Sequence, residues 1–230
     1  MQDIEYYSEN QFLPGNIRNV SNDELAHMKI NSLNYRTDNF ENIDWNNSIV
    51  LFGCSNVFGT GLKDNETIAY KLEEILQRPV INMGVPSSSI AYSVFNQIIL
   101  ASMNITPYAV INLWTSINRV SYFFEETPFH IGPWIEQRPG NNIINRSIKS
   151  LFDSWNISDS NPTLHCIFLQ KMTEIMWKDT KHFQGTFFPN TSEALNVELF
   201  HYKDRAKDDD KHPGPLTAKE VAEQLALWCR

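Results

Sequence analysis

Three short apolar runs, Ser48–Gly53, Val80–Met83 and Tyr108–Trp114, start about 30 residues apart and leave room for a helix in each gap. Runs this short, with no polar alternation, suit strands buried on both faces. In the first gap, Asp64 and Asn65 can cap a helix in which Ile68, Ala69, Leu72, Ile75 and Leu76 recur at helical spacing, and Pro79 closes it. In the second, Gly84 to Ser89 reads as a turn whose serines cap a helix carrying Ile90, Val94, Ile98 and Ile99. Strands and helices alternating in this way call for an α/β fold, a parallel sheet covered by helices on both faces and joined by right-handed crossovers.

The flanking segments are less regular. Residues 1–44 are polar and Asn-rich and are expected to lie on the core as an extension, with one domain over residues 45–230. Residues 118–160 carry Phe123, Phe124, Phe129, Trp134 and Trp155 without clear periodicity and are expected as an irregular insertion near the site. Residues 161–179 read as a helix burying Leu164, Ile167, Phe168, Met172, Ile175 and Met176, and Phe183 to Phe188 as a last strand. A final helix should open with a capping box of Thr217 and Glu220 and bury Val221, Leu225 and Trp228, with Asp208 to Pro215 as a rigid loop before it.

Composition removes several classes of function. A formal charge of -8 with no cluster of Lys and Arg gives no electrostatic footprint for nucleic acid or an anionic membrane surface. No apolar run reaches the roughly 18 residues of a membrane span, and the acidic start is unlike a signal peptide, so a location without a cleaved signal, such as the cytoplasm, is expected. The cysteines, Cys54, Cys166 and Cys229, are too scattered for a disulfide framework or a paired zinc site. No metal and no cofactor is expected, and His27, His130, His165, His182 and His201 are read as isolated surface or core histidines.

Ligands of an open parallel sheet bind beyond the carboxyl ends of its strands. There the chain offers Gly53-Cys-Ser-Asn-Val-Phe-Gly-Thr-Gly61 after the first strand, Gly84 after the second, and Thr115, Ser116 and Asn118 after the third. Asp209 and His212 stand three apart before the last helix. The glycine spacing fits neither a phosphate loop nor a dinucleotide fingerprint.

In order and spacing these blocks resemble the SGNH (GDSL-like) hydrolases over about residues 48 to 228. The resemblance implies an α/β/α sandwich with a mainly parallel, flavodoxin-like sheet and a cofactor-free serine esterase. By position it makes Ser55 the nucleophile, His212 its base and Asp209 the group orienting the imidazole. It gives the oxyanion hole to the N–H groups of Ser55 and Gly84 and to a side chain at Ser116 or Asn118. Asn56, Trp114 and Arg119 are candidate substrate contacts; Arg119 is alternatively half of an ion pair. Asn31 to Arg36 also resembles a segment preceding the nucleophile strand in some bacterial and phage members.

The chain departs from the family at Cys54, where an Asp is usual, and at Leu113 to Arg119, where Gly-x-Asn-Asp is usual. The Cys54 thiol is expected to point away from Ser55. The substrate implied first is an O-acetyl ester of a glycan, then a small carboxylic ester or thioester. The alternative is a catalytically weak or inactive SGNH-like module, glycan-binding or phage-associated.

Overall fold

The computed structural model describes residues 13–15, 25–124, 127–134, 143–158, 160–206 and 209–230; the side chains at 123, 124, 127, 143–145, 209 and 210 lie outside the description. The elements are, in order, β1 (Ile49–Gly53), α1 (Ser55–Phe58), α2 (Ile68–Leu76), β2 (Val80–Gly84), α3 (Ile90–Ser102), β3 (Ala109–Trp114), β4 (Val120–Phe124) and β5 (Thr127–Ile131). Then come α4 (Ile143–Trp155), α5 (Ser160–Met176), β6 (Lys181–Thr186), α6 (Pro189–Leu195), β7 (Glu198–Leu199), β8 (Arg205–Ala206), β9 (Asp209–Pro213) and α7 (Pro215–Cys229).

Five strands form one sheet in the order β2-β1-β3-β6-β7, and every adjacent pair is parallel. This is the flavodoxin-like order, and the three apolar runs of the sequence are its neighbouring strands β2, β1 and β3, with β2 at the edge. Because side chains alternate along a strand, β1 splits its apolar residues between two cores. Ile49 and Leu51 join Leu72 of α2 and Val221 and Leu225 of α7 on one face; Val50 and Phe52 join Tyr92 and Leu100 of α3 and Trp177 on the other. Leu13, Tyr35 and Trp45, from the segment before the sheet, complete the second core.

Capping explains where the helices begin. Thr67 accepts from the Tyr70 N–H at 3.2 Å and so starts α2, a few residues after the expected Asp64 and Asn65. Ser89 starts α3 as expected. For α7 the expected capping box is replaced: Pro215 opens the helix, and Asp204, eleven positions earlier, accepts the N–H groups of Leu216 at 3.0 Å and Thr217 at 2.8 Å. These bonds hold the Asp204 carboxyl below its ordinary range against the opposing effect of desolvation.

Three other expectations are corrected. Within 118–160 the described residues are largely regular, since β4 and β5 pair as an antiparallel hairpin and α4 is a helix. In α5 the expected face is only partly inward: Ile167, Met172 and Met176 pack half-buried against the core, but Leu164, Phe168 and Ile175 are 62–72 % exposed, and Cys166, Leu169, Gln170 and Thr173 are the buried residues. Two buried polar residues hid that face from an apolar count, and both are satisfied, Gln170 by the Leu195 carbonyl at 3.0 Å and Thr173 by the Gln170 carbonyl at 2.8 Å. Ile98 of α3 is likewise exposed. Asp208 to Pro215 is not a loop throughout, because β9 pairs with β8.

One histidine sits in a polar layer under the sheet. The Asn112 amide nitrogen is 2.7 Å from His182 Nε2, Gln97 and Asn112 exchange amide bonds, and the Trp177 indole donates to Gln97 at 2.9 Å. Burial pushes the His182 imidazole down to about 4, against a smaller upward pull from Glu174. Between its ordinary value of 6.5 and about 4 the unfolded chain binds a proton that the folded chain does not. Stability should therefore be lost as the pH drops through that window, by up to about 3 kcal/mol from this group. Chemical denaturation at pH 7 and pH 4.5 should show a smaller loss for His182→Gln than for the wild type; equal losses would exclude His182 as the source.

Candidate active site

The site is assembled at the carboxyl edge of the sheet, where β1 and β3 lead in opposite directions and leave a crevice between their outgoing loops. Ser55 is the first residue of α1, two positions past the end of β1. The N–H groups of Val57 and Phe58 bond back to the Cys54 carbonyl, and the helix ends at Gly59 in the left-handed conformation at φ 82°. Ser55 itself is 6 % exposed.

What lets α1 sit so close to the sheet is a pair of facing glycines. Gly53 and Gly84 are register partners across β1 and β2. A Cβ on Gly53 would fall 2.4 Å from Val57 Cγ2, and one on Gly84 would fall 2.4 Å from the Phe58 nitrogen. The Asn82 side chain finishes the joint, donating to the Val57 carbonyl at 2.9 Å and accepting the Gly84 N–H at 3.0 Å. Gly84 thus makes room for α1, and its N–H is already committed; this corrects its expected place in the oxyanion hole.

The loop after α1 is held from the other side by Arg36. Its guanidinium donates to the carbonyls of Phe58 at 3.2 Å, Gly59 at 2.7 Å and Leu62 at 2.7 Å, and its Nε meets Asp64 at 2.8 Å. The segment Asn31 to Arg36, weak as a sequence signal, is the brace of this loop. Asn31 Oδ1 accepts the N–H groups of Leu33 and Tyr35, which sets the turn that presents Arg36.

Ser55 Oγ makes one hydrogen bond among the described residues, to Cys54 Sγ at 3.9 Å, and none to His212. The Cys54 thiol therefore lies beside the hydroxyl, contrary to expectation. His212 is on β9, and α1 and β9 pack against each other, so segments more than 150 residues apart in sequence do meet here. The pairing of β8 with β9 slips between Ala206↔Asp209 and Arg205↔Pro213, which leaves residues 210 to 212 in a bulge. Three positions along a regular strand lead to opposite sides, and a bulge interrupts that alternation and redirects side chains. His212 is half-buried; the Asp209 side chain lies outside the described residues.

Of the remaining candidates, Asn56 is buried and donates to the Tyr202 hydroxyl at 3.2 Å, tying α1 to the chain leading to β8. Burial raises the Tyr202 phenol, while the bond from Asn56 lowers it. Trp114 is 2 % exposed and its indole donates to Gln184 at 2.9 Å, so it belongs to the core and not to a substrate surface. Ser116 Oγ accepts the Asn118 N–H at 3.4 Å in a turn that Arg119 closes by donating to the Ser116 carbonyl. Arg119 has no ion pair among the described residues; its guanidinium lies over the rings of Trp134 and Phe188.

One residue was missed. In the turn Val85-Pro-Ser-Ser88, closed by the Ser88 N–H on the Val85 carbonyl at 3.1 Å, Ser87 takes φ 67°. Proline followed by a residue of positive φ is the type II pattern, which the sequence Val-Pro-Ser-Ser could have suggested. No acceptor for the Ser87 N–H is found among the described residues. No group of three or more metal-ligating side chains occurs among them either, and no helix is long and apolar enough to cross a membrane.

No family model and no curated protein matches the chain. Solved structures do. A protein assigned to the G-D-S-L lipolytic family from Desulfitobacterium hafniense DCB-2 is 14 % identical, with a TM-score of 0.48 over 80 % of this chain and 99 % of that one. The esterase EstA from Pseudoalteromonas sp. is 14 % identical, with a TM-score of 0.45 over 80 % and 98 %. The acetyl xylan esterase Est2A from Butyrivibrio proteoclasticus is 12 % identical, with a TM-score of 0.44 over 82 % of this chain, which spans 64 % of that protein.

Two substitutions test this construction. Gly84→Ala forces a Cβ into the α1 backbone and should cost about 2 kcal/mol or more in chemical denaturation. Arg36→Ala strips three carbonyls of their donor and should cost about 3 kcal/mol, measured in the same way. Near-neutral results would mean that α1 is not held as described.

Proposed function

We propose that the chain is a serine esterase in which Ser55 attacks the carbonyl carbon of a carboxylic ester. His212 takes the Ser55 proton as the Oγ–C bond forms, with Asp209 orienting the ring. The proton then passes to the departing alcohol as the C–O bond of the ester breaks. Water, deprotonated by the same imidazole, cleaves the acyl-enzyme and releases the acid. Negative charge on the tetrahedral oxygen would be met by the Ser55 N–H, by the Ser87 N–H in place of Gly84, and by Ser116 or Asn118. No metal or cofactor takes part in this scheme.

The observation that supports the reading is the packing of α1, with Ser55 at its start, against the bulged strand that carries His212. Ser55 Oγ must turn from Cys54 Sγ toward the imidazole, a side-chain rotation that substrate binding can drive, since catalytic hydrogen bonds are often loose before substrate arrives. An O-acetyl ester of a glycan is the first substrate class to try, as the family resemblance implies.

The hydrogen bond of Ser55 to Cys54 favours a second reading, a non-catalytic module of the same fold. A fluorophosphonate label read by mass spectrometry separates the two. The esterase should be labelled at Ser55, not in His212→Ala, and should turn over 4-nitrophenyl acetate above a Ser55→Ala control. Folded protein that neither labels nor turns over would leave the module.

A further inference from the structure

The loop after β3 holds buried polar atoms on two residues that have no hydrogen-bond partner among the described residues. Thr115 Oγ1, at the carboxyl end of β3, is buried without a hydrogen-bond partner. Four residues on, Arg119 Nε and Nη1 are also buried without one. A guanidinium keeps its charge inside a protein, and taking a charge from water without a counter-ion is among the costlier features a fold can carry. Aromatic faces recover part of that cost: Arg119 Cζ lies 5.0 Å from the centroid of the Trp134 ring and 5.3 Å from that of Phe188. The rings offer no acceptor for its N–H groups.

The surroundings are fixed in place. Trp134 lies on Gly132, where a Cβ would fall 2.3 Å from Trp134 Cζ3, so the indole sits where a side chain would otherwise be. Phe188 follows β6 and precedes α6, and the Thr191 hydroxyl in the first turn of α6 accepts the Ile117 N–H at 3.2 Å, binding the loop after β3 to the start of α6. Arg119 therefore hangs over the carboxyl edge of β3 and β6, the same edge from which Ser55 projects after β1. Its two flanking rings come from different segments of the chain, and neither is accompanied by a carboxylate paired to the guanidinium among the described residues.

We propose that Arg119 is the anchor of a carboxylate-binding subsite and that the substrate is an ester carrying a free carboxylate. The inference rests on the esterase reading for its consequence but not for the binding event. A guanidinium matches a carboxylate through two parallel N–H···O bonds, a match that a neutral hydroxyl or amide does not reproduce. The aromatic walls lower the local dielectric and strengthen the pair once formed.

The experiment has two arms. In the first, glutarate is added at low salt to the Ser55→Ala protein, and its melting temperature should rise; the same addition to Ser55→Ala/Arg119→Gln should leave the melting temperature where it was. In the second, kcat/KM is compared for mono-4-nitrophenyl glutarate and 4-nitrophenyl butyrate, which share a leaving group and differ in the carboxylate. The wild type should prefer the glutarate by about tenfold or more, Arg119→Lys should keep part of the preference, and Arg119→Gln should lose it. Should Arg119→Gln fail to fold, the wild-type preference and its decline with added salt carry the decision. Glutarate that binds without turnover of either ester would keep the subsite and remove the esterase. Turnover with no Arg119-dependent preference, or no shift with glutarate, would remove the subsite and leave the esterase.

Discussion

Two bare backbones meeting across β1 and β2 decide how near the sheet the helix of Ser55 can lie. With no side chain at Gly53 or Gly84, Val57 drops between the strands and the helix start is drawn over the crevice. Each of the other fixtures acts on a helix already seated in this notch. Asn82 ties the helix to β2, Asn56 ties it to Tyr202, and Arg36 holds the loop that leaves it. The hydroxyl is positioned by three independent parts of the chain, which is the support that a reacting group needs if its geometry is to survive thermal motion.

The polar residues under the sheet follow the same rule in a different setting. Gln97, Asn112, His182 and Trp177 lie where an apolar core would be simpler, and they are satisfied by one another. A network closed in this way fixes the relative setting of α3, β3, β6 and the end of α5, because a shift of any one of them would strip a hydrogen bond among these buried and half-buried groups. By contrast, the buried polar atoms without a hydrogen-bond partner among the described residues, Thr115 Oγ1 and Arg119 Nε among them, lie outside that layer.

Much of the fold could be read from residue order. The central strands, the helices between them and the apolar core of α7 follow from period and capping alone, since each is decided within a dozen residues. What escaped was settled at a distance. Asp204 caps α7 across the β8–β9 hairpin, which no local pattern signals. The inward face of α5 carries Gln170 and Thr173, whose partners a periodicity count does not see. At the site, the helix of Ser55 packs on the strand of His212, while Trp114 went to the core and Gly84 to the notch. A glycine that permits contact and a glycine that donates an N–H look the same in a sequence.

The brace supplied by Arg36 bears on how the chain reaches its final form during synthesis. The segment before the sheet is made before the residues it grips: Phe58, Gly59 and Leu62 for Arg36, and Asn96 for the Leu13 N–H. Leu13 must wait for Asn96, 83 residues further on, at a synthesis pace of order 5–20 residues per second. The loop of residues 58–62 can thus be gripped by Arg36 well before Leu13 is seated, so that residues made earlier find their place after residues made later.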